Sequence, residues 1–303
     1  MQGTTPENIN EIKTLIHQIE QDLTHIRFNF HPLIIDENLI VQFSQDLLPC
    51  VSSHRMIKLT TYSYAVLASN TKHLLVHRDP NLCLLDRQLT IIKQTPWPLD
   101  ISDICWSSTL DRFIVVNRKY VFTLDEKTML LEHYLPLDSV NWKNVTCSDT
   151  RLFLSTEGTG SSIFEYTLMI FSTFYKEWKS PVTCTTDEWI EDLKFNNGFL
   201  GLIINCCTKN NSRLELRSLA MLQCLWSIQL EEVCSIYPIR CCPIIDNQWI
   251  VVACQKPRIF HISTDGKLIK IDKKCRSPSN ICQFGNDLLA IWDQNCIYLQ
   301  NLC

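Results

Sequence analysis

Residues 111–135 read DRFIVVNRKYVFTLDEKTMLLEHYL, and the fold follows from how this stretch divides. It divides into three short strands. Phe113 to Val116 and Tyr120 to Leu124 are separated by a tight polar link, and a charged turn, Asp125-Glu126-Lys127, leads into Met129 to Leu135. With Ile104-Cys105-Trp106 ahead of it the unit has four strands. Both faces of such a sheet are partly apolar, so it needs neighbours of its own kind to cover them.

The rest of the chain supplies copies. Second strands are expected at His73 to His77, Arg112 to Val116, Arg151 to Ser155, Phe199 to Ile203, Trp249 to Ala253 and Leu288 to Trp292. Their first residues are separated by 39, 39, 48, 50 and 39 positions. Periods of about 40 to 50 residues with four strands each are the signature of a propeller. Third strands are expected at Leu82 to Leu85, Tyr120 to Thr123, Tyr166 to Met169, Leu214 to Arg217, Ile259 to Ile262 and Cys296 to Leu299, and the two long spacings are assigned to extra loop residues such as Cys207 to Ser212. The sixth copy stops after its third strand, while Met56 to Thr60 is a strand without a copy. Pairing those two closes the ring and leaves no bare edge. The expected fold is all-β, a six-bladed β-propeller closed by an N-terminal strand and preceded by one α-helix, with a seven-bladed ring that uses residues before Arg55 as the alternative. The division is helix over 1–30, connector over 31–54 and propeller over 55–303.

The helix rests on Ile9, Ile12, Ile16, Ile19, Leu23 and Ile26, whose spacings of 3, 4, 3, 4 and 3 make a narrow seam held over almost three heptads. Such a seam suits weak self-association, with docking against the propeller as the alternative.

Composition limits the function classes. The chain has 303 residues, 46% of them hydrophobic, and a net charge of −4, so no global positive field favours nucleic acid. The first residues do not read as a secretory signal, and the longest apolar runs are too short for a bilayer, so the expected location is cytoplasmic and no membrane partner is expected. Sixteen cysteines include no C-x-x-C pair, and Cys83, Cys105, Cys147, Cys254, Cys282 and Cys296 lie in apolar runs. They read as reduced core thiols rather than zinc ligands or a disulfide framework.

The six copies resemble blades of the WD-repeat and NHL-repeat propellers, and the helix ahead of them is similar to the C-terminal half of tripartite-motif proteins. The chain departs from those patterns. No blade carries Gly-His, the one Trp-Asp (Trp292-Asp293) ends a second strand, and there are only 7 glycines. No RING or B-box pattern precedes the helix, so ubiquitin-ligase activity is not implied.

No G-x-S-x-G, H-E-x-x-H or P-loop motif occurs. Gly158-Thr-Gly160-Ser-Ser reads as a loop. His73 and His77, about 13 Å apart along one strand, read as strand-end residues. Asp187, Glu188, Glu191 and Asp192 read as a solvated loop, the alternative being a cation site or an acid/base pair. Asp246 and Asp265 read as turn residues. Trp106 and Trp249 read as core, and Trp97, Trp178 and Trp226 as outer-edge packing or, in the functional reading, as partner anchors. The resulting expectation is a non-enzymatic scaffold binding a protein or peptide, without catalytic residues, cofactor or metal. Its rivals are an RNA-binding NHL-like propeller and a calcium-dependent propeller hydrolase. The first needs a basic cluster such as Lys270, Lys273, Lys274 and Arg276, the second inward carboxylates and Asn from several blades.

Overall fold

The computed structural model describes residues 56–58, 66–135, 140–168, 173–206, 208–209, 211–230, 238–273, 277–293 and 296–302. The expected helix with its Ile9 to Ile26 seam, the connector, and Lys274 and Arg276 lie outside the described residues.

Six four-stranded antiparallel sheets make up the described chain. Blade one is β2 (Leu67–Ser69), β3 (Leu74–Arg78), β4 (Asn81–Leu85) and β5 (Ile91–Pro96). Blade two is β6 (Asp103–Ser107), β7 (Arg112–Val116), β8 (Val121–Leu124) and β9 (Leu131–Leu135). Blade three is β10 (Trp142–Cys147), β11 (Arg151–Thr156), β12 (Ile163–Thr167) and β13 (Phe174–Trp178). Blade four is β14 (Glu188–Asn196), β15 (Phe199–Cys206), β16 (Asn211–Ser218) and β17 (Cys224–Leu230). Blade five is β18 (Ile239–Pro243), β19 (Trp249–Ala253), β20 (Arg258–Ile262) and β21 (Leu268–Asp272). Blade six is β22 (Pro278–Phe284), β23 (Leu288–Asp293) and β24 (Cys296–Asn301), with β1 (Met56–Lys58) as its fourth strand.

The closure expected from the sequence is present. Met56, Ile57 and Lys58 pair with Tyr298, Ile297 and Cys296. The first strands of successive blades pack on one another all the way round, and the sixth packs on the first, so the ring is complete at six blades and has no room for a seventh.

Side-chain alternation builds the core. In β7, Phe113 and Val115 enter the apolar seam shared with blade one, while Ile114 and Val116 enter the seam shared with blade three. Four further seams complete the circuit; Trp249 and Val251, for example, meet blade four, and Ile250 and Val252 meet blade six. Second strands are therefore buried on both faces, whereas an outer strand such as β9 has only its ends covered. Burying one such Val, Leu, Ile or Phe contributes roughly 1.5–3 kcal/mol.

Several details differ from the sequence reading. Asn211 and Ser212 are not loop residues but pair with Cys206 and Asn205, so the long period of blade four comes from longer strands. The third strand of blade three begins at Ile163 rather than Tyr166, with Ser161 buried ahead of it. Tyr120 precedes β8 and is exposed. Among the described residues no helix is long and apolar enough to cross a membrane.

Candidate functional site

The first strands of the blades surround the axis and carry the polar interior. In β10, β14 and β22 the register shifts immediately before an amide or acid residue, Asn144, Asp192 or Asn280. A bulge of this kind re-aims the side chains around it. In β14 it turns two consecutive residues, Glu191 and Asp192, inward.

Those two acids join three blades. Glu191 Oε2 accepts from Lys143 Nζ of blade three (2.7 Å), Trp189 Nε1 (2.9 Å) and Asn205 Nδ2 (3.3 Å), while Arg240 of blade five donates to the Glu191 carbonyl at 2.7 Å. Asp192 Oδ2 accepts the Cys241 amide of blade five at 2.7 Å. Asp103 does the same at an earlier seam, its Oδ2 accepting the Val145 amide of blade three at 3.0 Å. Lys194 links both acids, at 3.1 Å from Asp103 Oδ2 and 3.4 Å from Asp192 Oδ1. Burial alone would lower the lysine pKa, but the two carboxylates outweigh it and raise it, so the ammonium stays charged.

The expected solvated loop at 187–192 is thus corrected. Glu188, Glu191 and Asp192 lie on β14 and are buried, because the first strand of a blade faces the ring interior. Glu188 is held down to about 2, chiefly by its hydrogen bond from the Arg213 guanidinium. Asp187 is taken by the hydroxyls of Thr185 (2.6 Å) and Thr208 (2.9 Å).

At the end of the ring where first strands turn into second strands, blades six, one and two enclose a cavity of about 420 Å³. Trp106 of β6 supplies its large aromatic surface, held edge-on by Phe113 at 4.8 Å. Ser69, Asn70, Thr71 and Lys72 come from the blade-one turn, Ser108 and Asp111 from the blade-two turn, Glu126 from the β8–β9 turn and Gln283 and Gly285 from blade six. The rim is tied down. Asn70 Oδ1 accepts the amides of Lys72 and His73, its Nδ2 donates to Glu126 Oε2 at 2.7 Å, and His73 Nδ1 meets the same oxygen at 3.0 Å. Lys93 from the outer strand donates to the Lys127 carbonyl at 2.6 Å. The arrangement offers one aromatic wall, one lysine and two carboxylates in a prearranged frame, which suits recognition of a polar chain with an apolar or cationic side group.

The residues singled out in the sequence are placed as follows. Trp97 is not an exposed anchor. It is 3% exposed, stacks edge-on against Phe122 at 5.2 Å, and its amide donates to the Pro80 carbonyl. Trp178 is half-buried under Lys176, whose Nζ stands 3.3 Å from the ring centroid. Trp226 is half-buried across the seam of blades four and five, its Nε1 donating to the Thr264 carbonyl at 2.9 Å and its ring lying where a Cβ on Gly266 would stand. Trp249 is core, as expected, but Trp106 is half-buried and lines the cavity. His77 is a buried residue rather than a strand end, and His73 precedes β3 and braces the cavity rim. The cavity brings together none of the three expected anchors. The signal that marks Trp106 is its place next to the end of a first strand, two positions before the turn that begins at Ser108.

No protein-family model matches the chain and no curated protein matches its sequence. Among solved structures, a chain of a mitotic checkpoint complex is similar with a TM-score of 0.57 at 8% identity, covering 84% of this chain and 94% of that one. A streptogramin B lyase gives a TM-score of 0.57 at 11% identity, covering 82% and 97%. Virginiamycin B lyase from Staphylococcus aureus gives 0.52 at 13%, covering 81% and 87%. At these identities the likeness is one of fold alone, that of a β-propeller.

Proposed function

We propose that the protein is a protein-interaction module of the cytoplasm that uses the end of the ring formed by blades six, one and two. A side chain of the partner enters the cavity beside Trp106. The observation that carries this reading is the cavity itself, a preformed recess built by three blades around one half-buried tryptophan. Loops on a rigid scaffold are where binding surfaces are generally found. That one of the similar chains belongs to a multi-protein complex agrees with this use of the fold. The proposal also includes self-association through Ile9, Ile12, Ile16, Ile19, Leu23 and Ile26.

The test is affinity capture of the intact chain from its own cell lysate after nuclease treatment, run beside Trp106→Ala and the surface variant Lys72→Glu. A protein partner recovered by the wild type and depleted about tenfold or more by either variant supports the reading. A partner retained by both variants removes the cavity from it, and recovery that nuclease abolishes transfers the function to RNA.

A second reading, the cation-dependent hydrolase, draws on the inward acids Asp103 and Asp192 and the buried Asn144 and Asn280. The residues do not fit a calcium ion. The Lys194 ammonium already stands between the two carboxylates, and each of them also accepts backbone amides. Calcium needs six to eight oxygen ligands free to face it.

A further inference from the structure

We infer that Cys105 and Cys147 form an oxidation site, a dithiol that a small disulfide of the glutathione class converts into a reversible bridge between blades two and three. Cys105 lies on β6 and Cys147 on β10, the first strands of adjacent blades. Their sulfurs are 3.9 Å apart. A disulfide brings the two sulfurs to about 2.05 Å, so the pair must approach further as it oxidises. The pair is half-buried, unlike the sealed thiols Cys241 and Cys242.

The hydrogen bonds order the chemistry. Cys105 donates its S–H to Cys147 Sγ, and Cys147 donates to the Trp106 carbonyl at 3.1 Å. The bond to Cys147, then burial, push the Cys105 thiol up. Cys147 is the first nucleophile, because its sulfur accepts the Cys105 S–H and its thiolate keeps that hydrogen bond. Its thiolate, having lost a proton to solvent, attacks one sulfur of the small disulfide; a new S–S bond forms and one small thiolate leaves. The Cys147 sulfur is then no longer a thiol, so the thiol–thiol bond that held the Cys105 proton is gone. Cys105 loses its proton and attacks Cys147 Sγ, expelling the second small thiolate. In total, two protein thiols are oxidised and one small disulfide is reduced to two thiols, with no other reagent. The same step removes the Cys147 bond to the carbonyl of Trp106, which ties the bridge to the cavity wall whether or not that cavity binds a partner.

The experiment uses the full chain, reduced and freed of reductant, treated with oxidised glutathione, alkylated and digested with trypsin. Residues 94–112 and 144–151 are tryptic peptides with one cysteine each. The expected product is these two peptides joined, 2 Da lighter than their sum, and separated again by reductant. In Cys105→Ser, Cys147 is expected to remain as a stable mixed disulfide with glutathione; Cys105→Ala serves as a second variant. Exposed Cys224 reports that the oxidant is active. Two separately alkylated peptides while Cys224 is modified, or variants whose Cys147 takes up no glutathione, would overturn the assignment.

Discussion

Lys194 of blade four reaches Asp103 of blade two, Nζ to Oδ2 in 3.1 Å, although blade three stands between them. A contact that skips a blade must cross the interior of the ring. The ammonium therefore acts as an internal cross-tie, neutralising one acid that holds blade three and another, Asp192, that holds blade five. Positive charge from the chain itself thus stands between the two carboxylates.

Removing that charge leaves two buried acids facing each other. Lys194→Met is expected to cost about 3–5 kcal/mol, the range for breaking a buried pair. Urea unfolding at pH 7 measures the loss. A loss below about 1 kcal/mol would rule out the cross-tie.

The ring closes through three residues. Ile57 pairs with Ile297 and packs against the seam of blades six and one. Ile57→Pro removes a ladder donor and an apolar side chain, and a loss of roughly 2–4 kcal/mol is expected. It bares the β24 edge, so concentration-dependent association should accompany the lower melting temperature. Light scattering and thermal unfolding together decide it, and an unchanged melting temperature speaks against closure by β1.

Gly201 of β15 has no room for a side chain. A Cβ there would stand 2.4 Å from the Trp249 ring of blade five. Gly201→Ala is expected to cost about 1–3 kcal/mol, and Trp249→Phe in the same chain should return some of it. Strict additivity of the two losses would show that they do not touch.

Two buried histidines set an acid threshold. Burial, and then Lys270, lower the pKa of His261, and burial lowers that of His77 against the pull of Asp79 and Asp100. With folded values below the unfolded 6.5, the unfolded chain binds more protons. Stability is thus complete above about pH 6.5 and falls as pH drops below it, ahead of the carboxylate range. Urea midpoints between pH 7.5 and 5 should show the slope, and His261→Gln should flatten it. The same slope in the variant would show that His261 contributes nothing to it.

The second strands are legible because burial on both faces leaves short continuous apolar runs in the sequence. Arg112–Val116 and Trp249–Ala253 end where those runs end. The closing strand is legible for a topological reason, since one strand is left over before the repeats and one is lacking at their end. Blade four is harder to read because Asn211 and Ser212 look like loop residues, yet the partners Cys206 and Asn205 across the ladder make them strand. The acids at 188–192 mislead because a cluster of charges in sequence usually faces water, whereas here the sheet takes them up: Glu188 is held by Arg213, and a bulge turns Glu191 and Asp192 inward.

By itself, the sequence determined the kind of sheet and the way the ring shuts, since both follow from short apolar runs and their repeat, while the count of six rather than seven blades is settled by the packing of the first strands round the ring. Tertiary structure alone decided which polar residues meet. Asp103 and Lys194, 91 positions apart, share one hydrogen bond, and Trp106 becomes a cavity wall only when turns from blades six and one close over it. Those meetings depend on rotation about the axis from blade to blade, a relation in space that no spacing along the chain encodes.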